Sequence, residues 1–157
     1  MRAKHPTGPI TEPARGPDHS HGPSGTTGLG EGESCSPADV RSAVRRVVDR
    51  QCRAAGSPCD ETALADALLV ASELTTNAIL HGGGVTGFDV GVEGRGVRVS
   101  VCDRSERLPV VTPSADVRGR CRTGGRGWPI VCRLSRDVRV SDLPTGGKRI
   151  TAVVPVF

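Results

Sequence analysis

From Ser36 onward the apolar positions repeat first with a helical period and then with a strand period. Val40, Ala43, Val44, Val47 and Val48 recur at the i, i+3, i+4 spacing of an amphipathic helix. The preceding Ser36-Pro37-Ala38-Asp39 puts a hydroxyl at the N-cap, proline at the first helical position and a carboxylate at the third. Gly56-Ser57-Pro58 ends this helix. Asp60 can cap a second one, with an apolar stripe through Leu64, Ala67, Leu68, Ala71 and Ala78 and a stop at Gly82-Gly83-Gly84. The period then falls to two. Phe88, Val90 and Val92 alternate, Gly94-Arg95-Gly96 turns the chain, and Val97, Val99 and Val101 alternate again, which predicts a β-hairpin. Gly127–Ser135 predicts a short helix, and a second hairpin follows: Val138–Val140, a turn over Asp142–Gly147, then Ile150–Val156. The order ααββαββ predicts an α+β fold, a two-layer sandwich with a mixed or mostly antiparallel sheet and its helices on one face.

Composition adds a boundary and removes some function classes. Residues 1–34 are rich in Pro, Gly, Ser, Thr and His and poor in aliphatic side chains, so they predict a disordered tail ahead of one domain over 35–157. Aromatics are only 2% of the chain, so the core must come from Val, Ala, Leu and Ile. There is no uninterrupted run of about 18 apolar residues and no signal-peptide pattern. The expectation is a cytoplasmic protein without membrane contact. The cysteines at 35, 52, 59, 102, 121 and 132 form no C-x-x-C pair. They are expected to stay reduced and to pack as small hydrophobes rather than hold zinc or form a disulfide framework.

The net charge of +4 has one origin. Between 104 and 126 lie Arg104, Arg107, Arg118, Arg120, Arg122 and Arg126 against only Glu106 and Asp116. So local an excess suits a compact polyanion such as a triphosphate, or an ordinary solvated loop. A nucleic-acid surface would spread its basic residues and add stacking platforms, and this chain has two Phe, one Trp and no Tyr. Direct nucleic-acid binding is not expected.

Three features could carry chemistry. Glu73, Asn77 and His81 stand at i, i+4 and i+8 and share one stripe of the second helix. That aligns a carboxylate, an amide and an imidazole, groups able to hold a hydrated magnesium ion and handle a proton; a solvent-facing polar stripe has the same pattern. Asp103 continues the parity of Val97, Val99 and Val101 onto a buried face, where a carboxylate needs a partner. An adenine amino group or a structural amide would serve. Finally, the glycines at 119, 124, 125 and 127 let backbone N–H groups approach phosphate oxygens just before a helix N-terminus. Neither a P-loop nor a Rossmann fingerprint is present.

In this order the segments resemble the Bergerat-fold ATPases, the superfamily of gyrase, histidine kinases and MutL. Glu73-Leu74-Thr75-Thr76-Asn77-Ala78-Ile79-Leu80-His81 resembles the family's N box. Val101-Cys102-Asp103-Arg104-Ser105 stands where its first glycine box begins, and Gly125-Arg126-Gly127-Trp128-Pro129-Ile130-Val131 resembles the second. Size and order are most similar to the stand-alone anti-sigma-factor serine/threonine kinases of actinobacteria. The resemblance implies ATP and Mg²⁺ as ligands. It implies Asn77 on the metal, Glu73 as general base, Asp103 on the adenine amine, Gly125, Arg126 and Gly127 around the phosphates, and His81 at the pocket wall. It also implies a sigma factor and an anti-sigma-factor antagonist as partners, and a possible homodimer. The chain departs from the pattern at Asp103-Arg104-Ser105-Glu106-Arg107, where the family continues Asp-x-Gly-x-Gly. It departs again at Lys148 and Arg149, where the family often has a threonine, and at Asp137-Val138, where it often has Trp-Gly.

Overall fold

The computed structural model describes residues 26–27, 34–109 and 127–157. In chain order they form β1 (Thr26–Thr27), α1 (Pro37–Ala55), α2 (Glu61–His81), β2 (Val85–Glu93), β3 (Gly96–Asp103), α3 (Gly127–Leu134), β4 (Asp137–Asp142) and β5 (Lys148–Pro155). From α1 onward this is the predicted order.

Both long helices begin where their caps direct. The Ser36 hydroxyl accepts the Asp39 N–H, and the Asp39 carboxylate accepts the Ser36 N–H in return, a reciprocal capping box. The Ser36 hydroxyl also donates to that carboxylate at 2.7 Å, and this hydrogen bond first, with that of the Ser36 N–H second, holds the exposed Asp39 carboxyl below the usual carboxylate range. Asp60 accepts the N–H groups of Thr62 and Ala63 at the head of α2. The turn between the helices folds Cys59 back to Cys52, their Cα atoms 5.7 Å apart, and the two form a disulfide. This corrects the expectation of reduced cysteines: the tight turn at Gly56-Ser57-Pro58 brings the two Cα atoms within bridging range. Cys35 and Cys102 are free and buried, and Cys132 is free and exposed.

The strands form one antiparallel sheet in the order β1-β2-β3-β5-β4. β5 lies between β3 and β4, so its ladder with β3 joins residues far apart in sequence. The tail expected to be unstructured contributes Thr26–Thr27, which pairs with Asp89 and Phe88 along β2; a strand edge offers free N–H and C=O groups to such a segment. One face of the sheet carries the helices. Val40, Val44 and Val48 of α1, with Val70, Ala71 and Leu74 of α2, pack on Val97, Val99, Val101, Ala152 and Val154, and Val131 of α3 joins them. Phe88 is the buried aromatic of this cluster, which is otherwise mostly Val, Ala, Leu and Ile with Cys35 and Cys52, and Trp128 and Phe157 pack against it half-buried. The other face carries polar pairs beside buried Val153 and Cys102: Arg98 bridges Asp89 at 2.6 Å, and Ser100 and Thr151 share a 2.8 Å hydrogen bond.

α2 is the axis of the helical layer. Its 21 residues, with a mean hydropathy of 1.3 over the most apolar stretch, are long and apolar enough by length and composition to cross a bilayer. An uninterrupted-run criterion overlooks this because Glu61, Asp66, Glu73 and the threonines punctuate the helix. Here α2 packs against α1, α3, β3 and β5. Leu74 at its centre is 1% exposed, which fixes the helix's rotation and with it the direction of its polar stripe.

Candidate functional site

Rotation of α2 with Leu74, Thr75 and Ala78 buried turns Glu73 and Asn77 to a partly covered flank. The cover is the start of α3. A Cβ built on Gly127 would lie 3.1 Å from the Glu73 Cδ, closer still to its Oε2, and 3.7 Å from the Asn77 Oδ1. Glycine lets the backbone of α3 come so close without the Glu73 carboxylate turning aside. Glu73 and Asn77 are thus side by side with Gly127, which follows Asn77 by 50 residues in sequence. His81 stands exposed in the last turn of α2. Gly119, Gly124, Gly125 and Arg126 lie outside the described residues.

The fourth predicted residue sits at the end of β3. Asp103 is 4% exposed, as strand parity required. α2 runs directly into it. A Cβ on Gly82 would lie 2.6 Å from the Asp103 Cβ and nearer still to the carboxylate, and the Arg104 N–H donates to the Gly82 carbonyl at 2.9 Å. The sequence reading looked for Asp103's partner in a nucleobase or a structural amide. Within the chain the partner is Lys148, the residue opposite it in the β3–β5 ladder. Lys148 Nζ lies 2.9 Å from both Asp103 carboxylate oxygens and donates to the Ser105 carbonyl at 3.1 Å. The Ser105 N–H also donates to Asp103 Oδ1 at 2.9 Å. Lys148 is itself 5% exposed.

The turn before β5 sets this pair. Gly147 has φ +85°, and any side chain there would run into the carbonyl oxygen of Asp103. Lys148 was visible in the sequence only as a residue out of place in a family pattern. The signal for its role is the strand register, which cannot be read until both hairpins are aligned. Gly82 and Gly147 were likewise read as stops and turns; their second task, close approach to Asp103, depends on tertiary contact.

The two clusters differ in what they offer a ligand. Asn77 and Glu73 offer an amide and a carboxylate oxygen, hard donors of the kind Mg²⁺ takes one or two of while keeping water and phosphate oxygens. In the other cluster the buried carboxylate is already occupied by an internal cation. Among the described residues no group of three His, Cys, Asp or Glu side chains is placed to hold a metal ion. A shallow cleft lined by Arg46, Asp49, Arg50 and Arg53 runs along α1 and contains none of the predicted site residues.

The family model described as the histidine kinase-like ATPase domain matches residues 34–154. No curated protein matches the chain.

Proposed function

The chain belongs to the histidine kinase-like ATPase domain family, and on that premise we propose that it is an ATP-binding regulatory protein, an anti-sigma factor that phosphorylates a serine or threonine of its antagonist protein. The observation that carries this reading is the meeting of Glu73 and Asn77 with the backbone of Gly127. It brings a helix N-terminus, suited to phosphates, to a carboxylate and an amide oxygen, suited to the cation that accompanies them. Asn77 would hold Mg²⁺, which when bound neutralises charge on the phosphates. Glu73 takes the proton of the partner's hydroxyl as that oxygen bonds to the γ-phosphorus and the bond to the β,γ-bridging oxygen breaks, leaving ADP. Arg126 and the backbone around Gly125 and Gly127 steady the phosphates, with His81 at the pocket wall. Phosphorylation of the antagonist releases it and frees this protein, working as a homodimer in the cytoplasm, to hold its sigma factor.

Labelled ATP mixed with the protein and its cognate antagonist tests this directly. Phosphate should appear on the antagonist, and Glu73→Gln should abolish the transfer while leaving the fold intact. Absence of transfer to every antagonist encoded beside it would refute the kinase reading. Asn77→Ala should remove Mg-ATP binding in a titration, and unchanged binding would refute the metal assignment.

The ion pair at Asp103 favours a second reading, a nucleotide-dependent module that sequesters a partner without turnover. Here ATP-dependent capture of the partner survives Glu73→Gln; its loss in the folded variant counts against this version.

A further inference from the structure

Lys148 is one of two lysines in a chain with 19 arginines, and it is the buried one of the described residues' cations. A planar guanidinium would not fill the same place. The ammonium is compact and carries three donors, and the three acceptors around it are Asp103 Oδ1, Asp103 Oδ2 and the Ser105 carbonyl. Each donor therefore has its own acceptor. Asp103 in turn receives the ammonium on both oxygens and the Ser105 N–H on one. The Gly82 backbone presses on the remaining side of the carboxylate. With three of the carboxylate's about four acceptor positions taken, Oδ2 against Gly82 and the residue 4% exposed, a newcomer reaches the carboxylate by taking a partner's place.

We propose that Lys148 sets the nucleotide affinity of this site, its ammonium holding the carboxylate that an adenine amino group must win. This rests on the reading of Asp103 as the base-facing residue. Both groups are N–H donors competing for one acceptor, and the resident donor has the advantages of full charge and of attachment to the same sheet. Nucleotide enters by displacing Nζ from at least one Asp103 oxygen. The protein therefore binds ATP weakly until something relieves that contact, and a side chain too short or too weak to hold the carboxylate strengthens binding.

The effect is separable from a purely structural ion pair by measuring nucleotide affinity alongside stability. Lys148→Thr should lower the melting temperature of the nucleotide-free protein, because Asp103 is left buried and unpaired. The same substitution should tighten Mg-ATP binding by tenfold or more in calorimetry, because the adenine amine restores the missing partner. The ligand-induced rise in melting temperature should grow to match. Inosine triphosphate, which has a carbonyl in place of the 6-amino group, should gain much less, so the ATP-to-ITP preference widens in the variant. If Lys148→Thr does not fold, Lys148→Gln keeps a neutral amide group as donor for Asp103 and should show a smaller gain of the same kind. Wild-type binding of ATP with no gain in either variant overturns the role of Lys148 and leaves the ATP reading standing. Equal gains for ATP and ITP also overturn it, since the amine would then be irrelevant. No binding of either nucleotide by wild type or variant at millimolar concentration overturns the ATP reading and this inference together.

Discussion

Substituting alanine for Gly82 isolates the contact between α2 and Asp103. Gly82 has φ −103° and ψ 1°, a conformation open to alanine, so backbone strain is not the issue. The added methyl would stand 2.6 Å from the Asp103 Cβ and nearer still to its carboxylate, against about 3.4 Å for the onset of ordinary contact, so at least about 0.8 Å must be found. The carboxylate cannot swing away to provide it, because Lys148 holds both oxygens and the Ser105 N–H holds one. If the two strands shift with the pair intact, overpacking costs about 1–3 kcal/mol. If the pair breaks instead, the loss rises to about 3–5 kcal/mol, since an unpaired charge is left buried. Equilibrium urea unfolding should thus show Gly82→Ala destabilised by about 1–5 kcal/mol with an unchanged slope. Gly87→Ala is the control: a Cβ there meets nothing within 4 Å, and removing a strand glycine should be neutral or slightly stabilising. A Gly82→Ala protein within about 0.5 kcal/mol of wild type would show that the approach is soft and that Asp103 is not locked in place.

Three further outcomes follow from other parts of the molecule. Gly127→Ala meets mainly the tip of the Glu73 side chain, which can turn aside, so melting should change little while phosphate transfer falls more than tenfold; parallel calorimetry and kinase assays check this, and unchanged transfer would separate Glu73 from the chemistry. Reducing the Cys52–Cys59 bridge, which closes a loop of sequence separation 7, should cost about 2.5 kcal/mol by the loop-entropy relation, measured by unfolding with and without reductant against a Cys52→Ser, Cys59→Ser variant that should not respond. Because the folded Asp39 carboxyl is held below its usual value, its contribution is present above the ordinary carboxylate range and lost as pH falls through the depressed value; the stability gap between wild type and Asp39→Ala should close on acidification, and a gap independent of pH would refute the capping-box assignment.

The elements were legible because each has a local signature. Ser36 and Asp39 announce α1, Asp60 announces α2, and the two alternating valine runs about Gly94–Gly96 can only be a hairpin. The burial of Asp103 was legible for the same reason, since parity along β3 is a property of the strand alone. What escaped was whatever two distant segments decide jointly. Nothing near Lys148 says that it will be buried; that follows from β5 inserting between β3 and β4 in a register that sets it opposite Asp103. The Cys52–Cys59 bridge escaped because the spacing matched no familiar motif and the geometry of the turn was unknown. The short strand at Thr26–Thr27 escaped because a sheet edge can recruit a segment with no apolar pattern of its own.

The position of β5 also fixes when the site can exist. Asp103 and Lys148 are 45 residues apart in sequence, and the strand that brings Lys148 is added after α3 and β4 have been made. A chain emerging from the ribosome can form α1, α2 and the β2–β3 hairpin early, from local contacts. Its β3 then keeps one open edge and a carboxylate with no cation beside it until the slow, non-local docking of β5. Such an intermediate should be stickier along that edge than the finished protein, and an ion pair built from the last strand ties the covering of Asp103 to completion of the fold.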